Sequence, residues 1–148
     1  AHGILFLLAK RGSMNAAPRP LPASFQALVD YIAGRYRSAV EIGIGPFPDV
    51  ALALSARGIR VLATDLCPGP VCGLSVFRDD VTAPTLSVYR GAELLYSLRP
   101  QGELFIYLQK LAFRLGADLI VKPLASEAPP LRPVRFGKSV FYFWSYTT

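Results

Sequence analysis

Ala39-Val40-Glu41-Ile42-Gly43-Ile44-Gly45-Pro46-Phe47-Pro48-Asp49, followed at a distance by Ile59-Arg60-Val61-Leu62-Ala63-Thr64-Asp65, carries the reading of the fold. Ala39 to Gly43 is a short apolar run of the buried-strand type. It is broken by two glycines that allow the chain to bend sharply. Pro48 suits a first helical position, and Asp49 complements the positive end of a helix. Val50, Leu54 and the alanines around them continue that helix to Gly58, a natural stop. Ile59 to Asp65 reads as a second strand. Strand, glycine turn, helix and strand make a βαβ unit, which is right-handed with parallel strands.

Upstream, Pro22 opens a helix in which Phe25, Leu28, Val29, Ile32 and Tyr36 recur at helical spacing. Downstream, Leu74–Arg78, Glu93–Ser97 and Asp118–Lys122 read as strands three, four and five. Leu104, Leu108, Leu111 and Leu115 mark a helix before the fifth strand, ended by Gly116. Ser126 to Pro133 is a proline-rich connector. Arg135 to Ser139 reads as a hairpin turn, and Val140 to Tyr146 as a final aromatic strand. The expected class is α/β, a doubly wound, mostly parallel sheet with a C-terminal antiparallel hairpin. One segment conflicts with it. Only nine residues, Leu66 to Leu74, join strands two and three, and they include two prolines and two glycines. A parallel crossover ordinarily needs about a dozen residues and a helix. Either the third strand is reached by a short irregular link, or it is not parallel; the fold is trimmed there.

The chain has 148 residues, 52% of them hydrophobic and 18% charged, which fits one packed domain. No apolar run approaches a membrane span of about 18 residues, and a cytoplasmic protein without membrane contact is expected. Gly3 to Ala9 precedes its charges, Lys10 and Arg11, the reverse of a secretory signal. Residues 1–13 read as an N-terminal extension or a cloning remnant before Met14, with residues 14–148 as the domain. The net charge is +6, compatible with nucleic-acid or phosphorylated partners. The arginines are spread along the chain, however, and a solvated basic surface accounts for them as well. Cys67 and Cys72 are too few for a disulfide framework and have no histidine nearby for zinc. Reduced thiols are expected, with a local disulfide as the alternative. No metal site is expected, and His2, the only histidine, leaves no imidazole for a catalytic triad.

The glycine turn is where chemistry is expected. Gly43 and Gly45 bring backbone against a ligand, and the following helix offers unpaired N–H groups. Asp65 lies twenty positions after Gly45, at the end of the next strand, where a carboxylate can accept both ribose hydroxyls of an adenosine. A nicotinamide fingerprint needs a third glycine where Pro48 stands. Glu41 is an acid inside an apolar strand, costly to bury without a partner, and an amino-acid-bearing cofactor supplies one.

Glu41-x-Gly43-x-Gly45 followed by Asp65 resembles the first motifs of Rossmann-type S-adenosylmethionine-dependent methyltransferases. Asp80, in Arg78-Asp79-Asp80-Val81-Thr82, sits where that superfamily often places an acid near the adenine amino group. The resemblance spans roughly Ala39 to Lys122. The order Val-Glu-Ile-Gly-Ile-Gly, Ala-Thr-Asp, Arg-Asp-Asp-Val-Thr, Leu-Tyr-Ser-Leu-Arg-Pro is similar to an uncharacterised family of small archaeal proteins. The resemblance implies S-adenosylmethionine as cofactor, held by Glu41, Gly43, Gly45, Asp65 and Asp80. Phe47 replaces the third glycine of the methyltransferase motif. Ser97-Leu98-Arg99-Pro100 stands where amino-methylating members often carry Asn/Asp/Ser-Pro-Pro-aromatic.

Tyr96, Ser97 and Arg99 end the fourth strand, the edge at which open α/β sheets bind ligands, and are the acceptor-side candidates. Each residue has a structural reading beside the functional one. The glycines make a turn, Asp65 and Asp80 cap strand ends, Glu41 pairs internally, and Arg99 is an exposed loop charge. Two functions therefore stay open: a small methyltransferase of undetermined acceptor, and a non-catalytic adenosine-ligand binding protein, with a nicotinamide protein third. The uncovered sheet near strands two and three, and the aromatic last strand, predict a two-fold homodimer.

Overall fold

The computed structural model describes residues 20–124 and 127–146. Residues 1–13, read above as an extension, lie outside the described residues. Seven strands form one sheet in the order β3-β2-β1-β4-β5-β7-β6. They are β1 (Ser38–Ile42), β2 (Arg60–Asp65), β3 (Ser75–Arg78), β4 (Leu94–Leu98), β5 (Asp118–Lys122), β6 (Arg132–Phe136) and β7 (Ser139–Trp144). Helices α1 (Ala23–Ala33), α2 (Asp49–Ala56) and α3 (Phe105–Leu115) cover it. Strands β1 to β5 pair in parallel, and β7 runs antiparallel to both β5 and β6.

Alternation along the strands divides the core. Ala39, Leu94, Tyr96, Ile120 and Phe141 face α1 and α2, packing on Leu28, Ile32, Val50 and Leu54. Val40, Ile42, Leu95, Leu119 and Val121 face the other side, against Leu108, Leu111 and Ala112 of α3. Because both faces are covered, β1 and β4 are buried along their whole length.

The link between β2 and β3 settles the conflict: β3 is parallel, with Leu62 opposite Ser75 and Asp65 opposite Arg78. Prolines 68 and 70 keep the link out of helix. Nine residues reach about 30 Å when extended, enough to return along a strand of about 20 Å without one. The Arg78 guanidinium donates to the Leu66 carbonyl at 2.6 Å and pins the link to the strand end. Cys67 and Cys72 within it are free and exposed.

Several boundaries differ from the sequence reading: the hairpin turn narrows to Gly137 and Lys138, since Arg135 and Phe136 belong to β6 and Ser139 opens β7, which ends at Trp144. Tyr36 lies beyond α1, which stops at Ala33, and its hydroxyl donates instead to Asp118 at 2.6 Å. Pro48 caps α2 rather than opening it. The connector is shorter than expected, because Arg132 and Pro133 belong to β6. Proline is tolerated there since β6 is the sheet's edge.

A cavity of about 510 Å³ lies near the amino ends of β1 and β2, lined among others by Ser38, Arg60, Leu62, Phe77 and Arg90. It sits beside β3, where the link supplies no helix. No described helix is long and apolar enough to cross a membrane.

Candidate functional site

The turn after β1 is built by two left-handed glycines, Gly43 with φ 75° and Gly45 with φ 54°. A side chain is strained in this region, so the turn needs glycine for its backbone alone. The N–H groups of Gly43 and Ile44 both donate to the Thr64 carbonyl, at 2.9 and 3.1 Å, tying the turn to the end of β2. A Cβ built at either glycine meets no atom within 4 Å. Open space thus lies above the turn.

Asp65 connects the two strand ends. Its Oδ1 accepts the Gly45 N–H and its Oδ2 the Cys67 N–H, both at 3.0 Å. One carboxylate therefore organises the turns after β1 and β2 together. Asp80 stands at the end of the next strand and is exposed. Its Oδ1 accepts from the Thr82 hydroxyl at 2.7 Å and the Thr82 N–H at 2.9 Å. These two bonds hold its carboxyl below the usual range. Its neighbour Asp79, not singled out from the sequence, takes the Tyr89 hydroxyl at 2.5 Å and the Thr85 N–H at 3.1 Å.

Glu41 is 1% exposed and lies opposite Tyr96 in the β1–β4 register. Tyr96, fully buried, donates its hydroxyl hydrogen to Glu41 Oε1 at 2.9 Å. Burial pushes the Glu41 carboxyl up to about 8, although the Tyr96 bond and the Arg99 charge pull the other way. Near neutral pH the carboxyl therefore carries its proton for most of the time. Burial, helped by Glu41, also pushes the Tyr96 hydroxyl well above its ordinary value.

The acceptor-side candidates part company. Tyr96 is committed to Glu41. Ser97 is buried and donates to the Ile42 carbonyl at 2.7 Å. Arg99 alone is exposed, in a left-handed backbone with φ 56°. Its guanidinium lies 5.3 Å from the Phe47 ring centre and 5.7 Å from that of Phe25. Those rings pack together at 5.3 Å, tilted by 58°. The Lys122 ammonium also lies over Phe25, at 5.6 Å, and donates to the Val140 carbonyl at 3.1 Å. Sequence reasoning missed Phe25 and Lys122 as site residues. Phe25 reads as a helix core position and Lys122 as a strand end; only the packing of α1 over β5 joins them.

The site therefore has an open glycine turn organised by Asp65, a buried acid beside it whose carboxyl is pushed up by burial, and a cationic, aromatic flank. No cluster of three histidine, cysteine or acidic side chains suited to a metal ion occurs among the described residues.

The model of an uncharacterised protein family (UPF0146) matches residues 25–145. The UPF0146 protein of Archaeoglobus fulgidus is 43% identical over 117 residues, covering 78% of this chain and 90% of that protein. Among solved structures, an RNA methyltransferase from Salinibacter ruber in complex with S-adenosyl-L-homocysteine superposes with a TM-score of 0.56 at 17% identity. The match covers 86% of this chain and 94% of that one. A sugar N-methyltransferase from a Streptoalloteichus species superposes with a TM-score of 0.51 at 14% identity, over 80% of this chain and 53% of that one. At these identities the likeness is one of fold: a mostly parallel seven-stranded sheet with an antiparallel C-terminal hairpin.

Proposed function

The chain belongs to the uncharacterised protein family UPF0146, a family of archaeal proteins, and from this premise we propose that it is a cytoplasmic protein that binds S-adenosylmethionine or its demethylated product above the glycine turn. The observation that carries the reading is the turn itself. Two left-handed glycines, Gly45 held by Asp65 and Gly43 by the Thr64 carbonyl, face open space at the carboxyl ends of β1 and β2. In sheets of this topology that edge is where ligands sit.

In this reading Asp65 keeps one lone pair on each oxygen for ribose hydroxyls while its others hold the turn. The exposed Asp80 stands beside the adenine. Glu41 answers the cofactor's ammonium group, directly or through water. An arriving ammonium lowers the Glu41 carboxyl, which then releases its proton to solvent, because an adjacent positive charge favours the carboxylate. A nicotinamide dinucleotide is disfavoured by the Pro48 cap, where close helix packing against a pyrophosphate needs glycine.

Methyl transfer needs little from the protein beyond alignment, since the sulfonium is already electrophilic. A small methyltransferase follows if an acceptor docks near Arg99. The second reading, an adenosine-ligand binding protein without turnover, is favoured by one observation. Both Tyr96 and Ser97 are buried and spend their hydroxyls inside the protein.

Calorimetric titration with S-adenosylmethionine, S-adenosylhomocysteine and NAD tests the assignment. Micromolar binding, about −8 kcal/mol, is expected for the first two. Equal or tighter binding of NAD overturns it.

A further inference from the structure

Arg99 and Lys122 end neighbouring parallel strands, and the Arg99 N–H donates to the Lys122 carbonyl at 2.6 Å. Their side chains converge on one ring. The guanidinium and the ammonium lie 5.7 and 5.6 Å from the centre of Phe25. Aromatic faces attract each cation separately, but two like charges on one ring repel each other.

The Lys122 ammonium also donates to the Val140 carbonyl at 3.1 Å, a neutral partner that leaves its charge in place. The ion pair recorded among the described residues joins Arg57 to Asp30, away from this edge. The described acid on which the Arg99 charge acts, Glu41, has its carboxyl pushed up to about 8 by burial. Burial also lowers Lys122, which sits partly withdrawn from solvent. An anion placed here relieves the repulsion and the desolvation together. A single carboxylate neutralises one of the two charges, whereas a phosphate monoester carries nearly two and has three acceptor oxygens. Guanidinium supplies a planar fork and ammonium a point charge, and both hold phosphate in proteins.

We propose that Arg99 and Lys122, backed by Phe25 and Phe47, form a phosphate-binding site beside the glycine turn, so that the molecule acted on or sensed here is a nucleotide or a nucleic-acid strand. Under the methyltransferase reading that molecule is the methyl acceptor; the phosphate site stands without that reading.

The test uses uridine 5′-monophosphate, a pyrimidine nucleotide chosen to avoid an adenosine pocket, with uridine as control. Binding is followed by calorimetry with and without saturating S-adenosylhomocysteine. The nucleotide is expected to bind about tenfold or more tightly than uridine, and Arg99→Gln and Lys122→Met each to remove about tenfold or more. Circular dichroism verifies that both variants fold. Equal binding of nucleotide and nucleoside, or unchanged nucleotide affinity in both variants, overturns the site. Loss of S-adenosylhomocysteine affinity with nucleotide binding intact also overturns it, since the anion held would then be the cofactor's own carboxylate. An oligouridylate of about eight nucleotides separates the sources. Tighter, strongly salt-dependent binding of the oligomer identifies a nucleic-acid backbone; equal affinity identifies a free nucleotide; either upholds the site. Failure of the wild type to bind S-adenosylhomocysteine, with nucleotide binding intact, overturns the cofactor reading alone.

Discussion

The hydroxyl of Tyr96 donates to the carboxyl of Glu41 at 2.9 Å, across two adjacent strands and with both side chains sealed from solvent. The bond favours the carboxylate, yet burial outweighs it, and the group titrates near 8 instead of its usual 4.5. Tyr96 and Arg99 are the polar groups that act on it.

That shift makes stability depend on pH. A carboxyl raised in the folded state holds a proton that the unfolded chain releases, so the folded protein binds more protons between about 4.5 and 8. Stability is fully present below 4.5 and is lost as pH rises toward 8. The slope is at most about 1.4 kcal/mol per pH unit. Glu41→Gln is expected to flatten this loss, with its largest gain over wild type at alkaline pH. Urea melts across that range check it; parallel curves for both proteins would mean that Glu41 is ionised throughout.

Ligand binding is expected to release that proton. An ammonium group docking beside Glu41 ionises it, so affinity for S-adenosylhomocysteine should rise from pH 6 toward pH 8 and then level off, the folded value being about 8. Calorimetry in buffers of different ionisation enthalpy counts the proton directly. A buffer-independent heat would place the ammonium elsewhere.

Asp65→Ala removes the acceptor for two backbone N–H groups and, in the proposed mode, for the ribose. Stability is expected to fall by about 1–3 kcal/mol, with a comparable loss in S-adenosylhomocysteine binding. Thermal melts and calorimetry separate the two. A stability loss with affinity unchanged would make Asp65 a turn clamp only.

Gly45→Ala puts a methyl group into open space at φ 54°. The fold should lose only the backbone cost, about 1–2 kcal/mol. Ligand affinity should fall further, because the methyl group occupies the approach to the turn. Equal small losses in both would place the ligand away from the glycine.

Self-association is the remaining prediction. Phe113 (58% exposed), Ile106 and Tyr146 form an apolar surface by Trp144, while Phe77 lies exposed on the edge strand β3. A small monomer rarely leaves such patches in water. Light scattering at micromolar concentration is expected to give a dimer mass. Phe113→Arg and Phe77→Arg then reveal which patch is used, since only one should restore the monomer. A monomer mass in the wild type at all concentrations would refute the dimer.

Much of this architecture was legible along the chain, because its signals are local. The apolar run at Ala39, the glycines at 43 and 45, and the spacing to Asp65 depend on backbone geometry and period, which neighbouring residues dictate. The βαβ unit, the α3 pattern and the hairpin follow in the same way. Helix limits were less legible: the stripe ending in Tyr36 continues past the helix, because that ring packs by reaching Asp118 rather than by staying helical. The link to β3 was undecidable from the sequence, since nine residues allow either direction and only pairing with β2 chooses the parallel one. Glu41 announced that it needed a partner, but not which one. Tyr96 is 55 residues away, and strand register alone brings the two together. Likewise, neither Arg99 nor Lys122 signals the other in sequence. They meet because β4 and β5 are adjacent and α1 lays Phe25 across both ends. Local chemistry specifies elements and turns, whereas contacts between distant residues arise only when the sheet order and register are set by burying both faces at once.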